Sequence, residues 1–124
     1  MNPFLELGIR EEVVKAISEI GFEKPSEIQE KAIPVLLTGS DDFVGLAQTG
    51  TGKTAAFGLP LLEQLDFSQK HPQALVLCPT RELCLQIAKD LEKFAKYMDN
   101  VHVVAVYGGA NISDQLRQIR RGVQ

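Results

Sequence analysis

The sequence predicts an α/β domain, a mostly parallel sheet with helices on both faces. Three observations carry this expectation. Apolar runs without alternation, such as Ala74-Leu75-Val76-Leu77-Cys78, read as strands buried on both faces. Between these runs lie stretches of helical period, and strand–helix alternation of this length implies right-handed crossovers and a parallel sheet. A glycine-rich loop, Ala47-Gln48-Thr49-Gly50-Thr51-Gly52-Lys53-Thr54, falls where one such strand gives way to a helix.

In chain order, Ile9 to Ile20 places Val13, Val14, Ile17 and Ile20 at helical spacing, and Gly21 is a natural stop. Phe22-Glu23-Lys24-Pro25 reads as an extended linker, because Pro25 disfavours helix at Lys24. Ser26 followed by Gln29 is a capping box opening a helix to about Leu37, ended by Thr38-Gly39-Ser40. Asp42 to Leu46 is a short strand leading into the loop. Lys53 through Leu62 reads as a helix, although Gly58 and Pro60 are unfavourable in its middle. After the strand Ala74–Cys78, Thr80 caps a long helix carrying Leu83, Ile87, Leu91 and Phe94 on one face. Val101 to Val106 is another strand, Tyr107-Gly108-Gly109 a turn, and Ile112 to about Arg120 the last helix. Three strands are few for this class, so the expected domain is incomplete in this chain.

At 124 residues, 44 % hydrophobic and 23 % charged, the chain supports a single core. No apolar run approaches the roughly 18 residues of a membrane span. Met1-Asn2-Pro3-Phe4-Leu5-Glu6 lacks the features of a signal peptide, so a cytoplasmic protein without membrane partners is expected. Cys78 and Cys84 fit no metal-ligand spacing and read as reduced, buried small residues. A net charge of −3 makes no electrostatic case for nucleic acid. Arg117, Arg120 and Arg121 read as a solvated helix face.

The loop carries the chemistry. Backbone N–H groups converging at a helix N-terminus hold a phosphate, and Gly50 and Gly52 tolerate the positive φ that such a nest requires. Lys53 would reach the β- and γ-phosphates, and Thr54 would ligate the magnesium that bridges them. A nucleoside triphosphate is the expected ligand. The general pattern has glycine where this chain has Ala47, which is tolerable if that residue keeps ordinary backbone angles.

Further segments resemble DEAD-box RNA helicases. Gly21-Phe22-Glu23-Lys24-Pro25-Ser26-Glu27-Ile28-Gln29, with Phe4 lying 17 positions upstream of Gly21, resembles the family's Q motif. Ala47 to Thr54 is similar to its motif I, where alanine at the first position is ordinary. Pro79-Thr80-Arg81-Glu82-Leu83-Cys84-Leu85-Gln86 resembles motif Ia, and Gly108-Gly109 the family's glycine doublet. The resemblance implies a three-layer P-loop NTPase of RecA-like fold. Residues 1–30 would be its N-terminal helical Q-motif segment and residues 31–124 part of its ATP-binding domain.

It also implies roles. Gln29 would pair with the adenine edge, Phe4 would stack on the adenine, and Lys24 would pack nearby. Gln48, Thr49, Gly50, Thr51, Gly52, Lys53 and Thr54 would contact ATP and magnesium, with Lys53 and Thr54 acting on the reacting phosphates. Pro79, Thr80, Arg81, Gly108 and Gly109 would touch the RNA backbone without reading bases. Plainer readings stay open: Gln29 as a helix cap, Phe4 as a hydrophobic anchor, Arg81 in a surface ion pair, Gly108-Gly109 as a simple turn. So do a DNA helicase or translocase and a non-catalytic nucleotide-binding module. The family's Asp-Glu-Ala-Asp segment, its Ser-Ala-Thr motif and the second RecA-like domain with its arginine fingers do not occur in this sequence. The chain alone is therefore expected to bind ATP without useful turnover.

Overall fold

Every predicted helix forms in the computed structural model, which describes residues 1–124, and one is added. The helices are α1 (Pro3–Glu6), α2 (Glu11–Ile20), α3 (Glu27–Thr38), α4 (Lys53–Gln64), α5 (Arg81–Phe94) and α6 (Ile112–Arg120). The short α1 escapes a periodicity reading because it is a single turn. It is set by Pro3 in its first turn and by the Asn2 side chain, which accepts the Phe4 N–H at 2.9 Å. Gly58 and Pro60 do not interrupt α4. A Cβ on Gly58 would lie 2.9 Å from Leu91 Cδ2, so the missing side chain lets α5 lie close against α4.

The predicted sheet is corrected. Residues 42–46, 74–78 and 101–106 carry no regular secondary structure and form no strand ladder. The last two segments do not pair with each other. Gln124 bonds to both: its carbonyl accepts the N–H groups of Gln73 at 2.6 Å and Ala74 at 2.9 Å, and its own N–H donates to His102 O at 3.3 Å. Both segments line one apolar cavity of about 660 Å³, and Gln124 bonds to each of them. Leu75 and Leu77 are 83 % and 85 % exposed in this chain.

The core is helical. Phe4, Ile9, Val13 and Ile17 from the N-terminal segment join Ile33, Leu59, Ile87, Leu91 and Phe94 in one cluster, so residues 1–30 and 31–124 share a single core. Phe22 bridges Phe4 (ring centroids 6.2 Å apart) and Phe94 (6.0 Å, edge to face). Arg10 ties the start of α2 to α4: its N–H and its Nε both donate to Glu63, at 2.9 and 3.2 Å. Arg117, Arg120 and Arg121 are exposed as expected. Cys78 and Cys84 are free and half-buried, and burial raises the Cys78 thiol pKa. No helix is long and apolar enough to cross a membrane.

Glu19 on α2 braces the end of α5, accepting from Lys96 Nζ at 2.7 Å and from the Tyr97 hydroxyl. These bonds hold its carboxyl pKa below the usual carboxylate range. The brace is therefore complete above the ordinary glutamate value of about 4.3 and is lost as pH falls through the lowered folded value. Because the group is exposed, Glu19→Gln should lower the thermal midpoint at pH 7 by only about 1–2 °C. In melts followed by circular dichroism this difference should close once the pH has fallen below the lowered Glu19 value; a gap that persisted there would assign the effect to packing instead of charge.

Candidate nucleotide and nucleic-acid site

The loop from Ala47 to Thr54 has the backbone of a phosphate nest. Gly50 and Gly52 have φ of +79° and +82°. Nothing lies within 4 Å of a Cβ built on Gly50, so glycine is required there by conformation and not by space. Asn100 is the one non-glycine residue with positive φ, so Ala47 has the ordinary backbone that its substitution for glycine demands. Two bonds span the loop: Thr51 Oγ1 donates to Gln48 O at 2.7 Å and Lys53 Nζ to Ala47 O at 2.9 Å. Gly52 is the N-cap of α4 and supplies no side chain. The first helical bond runs from Ala56 N–H to Gly52 O, leaving the N–H groups of Lys53, Thr54 and Ala55 without partners in the chain. Uncapped N–H groups at the positive end of a helix, beside a lysine, favour an anion. Thr54 sits half-buried in that first turn.

The predicted capping box of α3 forms and is joined to this loop. Gln29, 3 % exposed, accepts the Ser26 N–H at 3.0 Å and donates its amide to Gly52 O at 3.1 Å. Ser26 Oγ donates to Thr51 O at 2.7 Å. An amide has two N–H donors and two carbonyl lone pairs, so Gln29 keeps one of each free for a ligand. A Cβ on Gly52 would collide with Gln29 Nε2, so this glycine also makes room for the glutamine. A cleft of about 440 Å³ opens between Phe22, Lys24, Gln29 and the Gly50–Gly52 turn.

Phe4 is not at that cleft, which corrects the expectation that it stacks on a base. Its ring is 0 % exposed and packs beneath Phe22, so it has no face to offer a ligand. The aromatic residue that lines the cleft is Phe22. Sequence reasoning missed it, although Phe22 stands inside the Gly21–Gln29 motif beside Lys24.

The remaining expected residues meet on another surface. Thr80 is the N-cap of α5, its hydroxyl accepting the Leu83 N–H at 3.2 Å. Gly109, with φ +86°, backs onto Arg81: a Cβ there would lie 3.0 Å from Arg81 Nη1. Pro79, Thr80, Arg81, Gly108 and Gly109 are all exposed. The chain's ion pairs are Arg10–Glu63, Lys31–Glu27, Lys96–Glu19 and Arg117–Asp114, so the Arg81 charge is not neutralised by a carboxylate. The surface ion pair that would have explained Arg81 is absent.

Comparison with known proteins agrees with this geometry. The sequence profile of the DEAD/DEAH box helicases matches residues 26–124. The ATP-dependent RNA helicase DeaD of Haemophilus influenzae is 53 % identical over 121 residues, which are 98 % of this chain and 20 % of that protein. The chain thus spans about a fifth of the length of that curated relative. Among solved structures, a DEAD box protein from the hyperthermophile Methanococcus jannaschii superposes with a TM-score of 0.90 at 37 % identity, over 98 % of this chain and 33 % of that one. Dbp5 from S. cerevisiae, bound to RNA and ADP BeF3, superposes with a TM-score of 0.77 at 30 % identity, over all of this chain and 36 % of that one. The chain belongs to the DEAD/DEAH box helicase family.

Proposed function

We propose that the chain is the ATP-binding part of the first RecA-like domain of an ATP-dependent RNA helicase, and that it carries part of the RNA-binding surface. The observation that carries this reading is the bond from Gln29 to Gly52, which couples a base-reading amide to a phosphate nest. Adenine offers a donor and an acceptor side by side, matching the free acceptor and donor of Gln29, whereas guanine presents the opposite pattern. Phe22 flanks the base, with Lys24 nearby. The N–H groups of Lys53, Thr54 and Ala55 and the Lys53 ammonium hold the phosphates. Thr54 would help hold magnesium, which would supply neutralisation of charge developing during phosphoryl transfer. Arg81, the Thr80 helix end and the Gly108-Gly109 turn grip the RNA backbone without reading bases.

In this proposal the water-positioning acids, the arginine fingers and the second RecA-like domain belong to the rest of a longer protein, which acts in the cytoplasm. Closure of the two domains on ATP and RNA would bend one strand, and hydrolysis would release it. The test compares ATP with GTP in the whole protein, with RNA or DNA as stimulator. The native protein should prefer ATP and RNA, and Gln29→Ala should reduce the ATP preference by about tenfold, the worth of one or two hydrogen bonds. An unchanged nucleotide preference would remove Gln29 from recognition, and equal stimulation by DNA would favour a DNA translocase.

A further inference from the structure

We infer that Gln115 is a positioning residue for the nucleic-acid contact at Gly108-Gly109, acting through the backbone of Tyr107. This inference rests on the RNA reading of that turn. Gln115 is the one buried residue of α6, at 8 % exposure, while the apolar Ile112 and Leu116 of the same helix are 71 % and 44 % exposed. A buried amide is uncommon, and this one is buried because it is hydrogen-bonded.

The amide engages both backbone groups of one residue. Its Oε1 accepts the Tyr107 N–H at 3.1 Å, and its Nε2 donates to Tyr107 O at 3.0 Å. The side chain thus takes the place of a neighbouring strand and fixes the peptide planes on either side of Tyr107. The second of these planes is the one from which the two glycines depart. At the other end of the turn, Asn111 caps α6 through the N–H groups of Ser113 and Asp114, at 2.8 and 3.3 Å. Both ends of the turn are therefore tied to α6, and Arg81 supports it at Gly109. Adjacent glycines have the widest backbone freedom of any pair. Without the clamp at Tyr107, the N–H and C=O groups presented to a sugar-phosphate chain would have no fixed direction. Preorganisation of this kind appears in affinity for the ligand that the turn touches.

The test uses the whole protein and measures RNA-stimulated ATP hydrolysis against RNA and ATP concentration, together with thermal midpoints. Gln115→Leu removes both bonds at similar volume and should raise the half-saturating RNA concentration about tenfold, the worth of one or two hydrogen bonds, with half-saturating ATP within about twofold. Gln115→Glu keeps an acceptor for the Tyr107 N–H but sets a second acceptor against its carbonyl. It should raise the RNA constant in the same direction, and it reads the same question if the leucine variant fails to fold. An unchanged RNA constant, or equal rises for RNA and ATP with a lowered midpoint, overturns the positioning role. Arg81→Ala separates the two ideas. If it weakens RNA binding while the Gln115 variants do not, only the inference about Gln115 falls; if it leaves RNA binding intact, the RNA reading of the turn falls with it.

Discussion

Lys53→Ala should weaken ATP binding by about a hundredfold, roughly 3 kcal/mol, while leaving the fold intact. The magnitude follows from what the lysine supplies. An ammonium on a triphosphate makes charge-assisted hydrogen bonds, each worth about 1.5–3 kcal/mol, and 1.4 kcal/mol is a factor of ten in affinity. The fold should not respond, because Lys53 is exposed and its only side-chain bond is to Ala47 O. A shift in thermal midpoint of more than about 2 °C would be large for such a surface change. Titration of the native protein and the variant with a fluorescent ATP analogue reads the affinity directly. Binding retained within about threefold would mean that the N–H groups of α4 hold the phosphates unaided, leaving the lysine no part in ground-state binding.

The same loop shows why part of the molecule was legible in the sequence. Gly50, Gly52 and Lys53 were identified because each does something that its residue type alone permits: a positive φ in two cases, a mobile charge in the third. Helix ends were legible for the same reason, since Ser26, Thr80 and the glycines at 21 and 39 act within a few residues of themselves. The sheet was not. Ala74–Cys78 has a strand's composition, but a ladder depends on what lies beside it, and in this chain only Gln124 does. The need for glycine at position 58 was not legible either, because its partner, Leu91, is remote in sequence. The role of Gln115 is not legible in the sequence for the same reason: its bonds to Tyr107 connect two elements, and the polar sequence of α6 does not mark its one inward amide.

Phe4 is the sharpest case of that limit, and its substitution should have the largest effect on stability. An aromatic residue upstream of a ligand motif reads equally as a stacking platform or as an anchor, and burial decides between them. With 0 % exposure in a core shared by α1 through α5, Phe4→Ala should cost about 3–5 kcal/mol. Domains of this size have only about 5–15 kcal/mol in total, so the alanine variant should be largely unfolded or aggregated at moderate temperature. Phe4→Leu keeps most of the volume and should cost less than about 1.5 kcal/mol, leaving the ATP dissociation constant unchanged. Phe22→Leu should behave in the opposite sense. It retains aliphatic contact with Phe4 and Phe94 but loses the aromatic face at the cleft, weakening ATP binding several-fold, about 1 kcal/mol for one stacked pair. Denaturant melts and ATP titrations on the two leucine variants separate the roles. Weaker ATP binding from Phe4→Leu without loss of stability would return Phe4 to the nucleotide. The expected pattern makes Phe4 the support on which Phe22 is held, so that an aromatic residue far upstream serves the nucleotide site through packing alone.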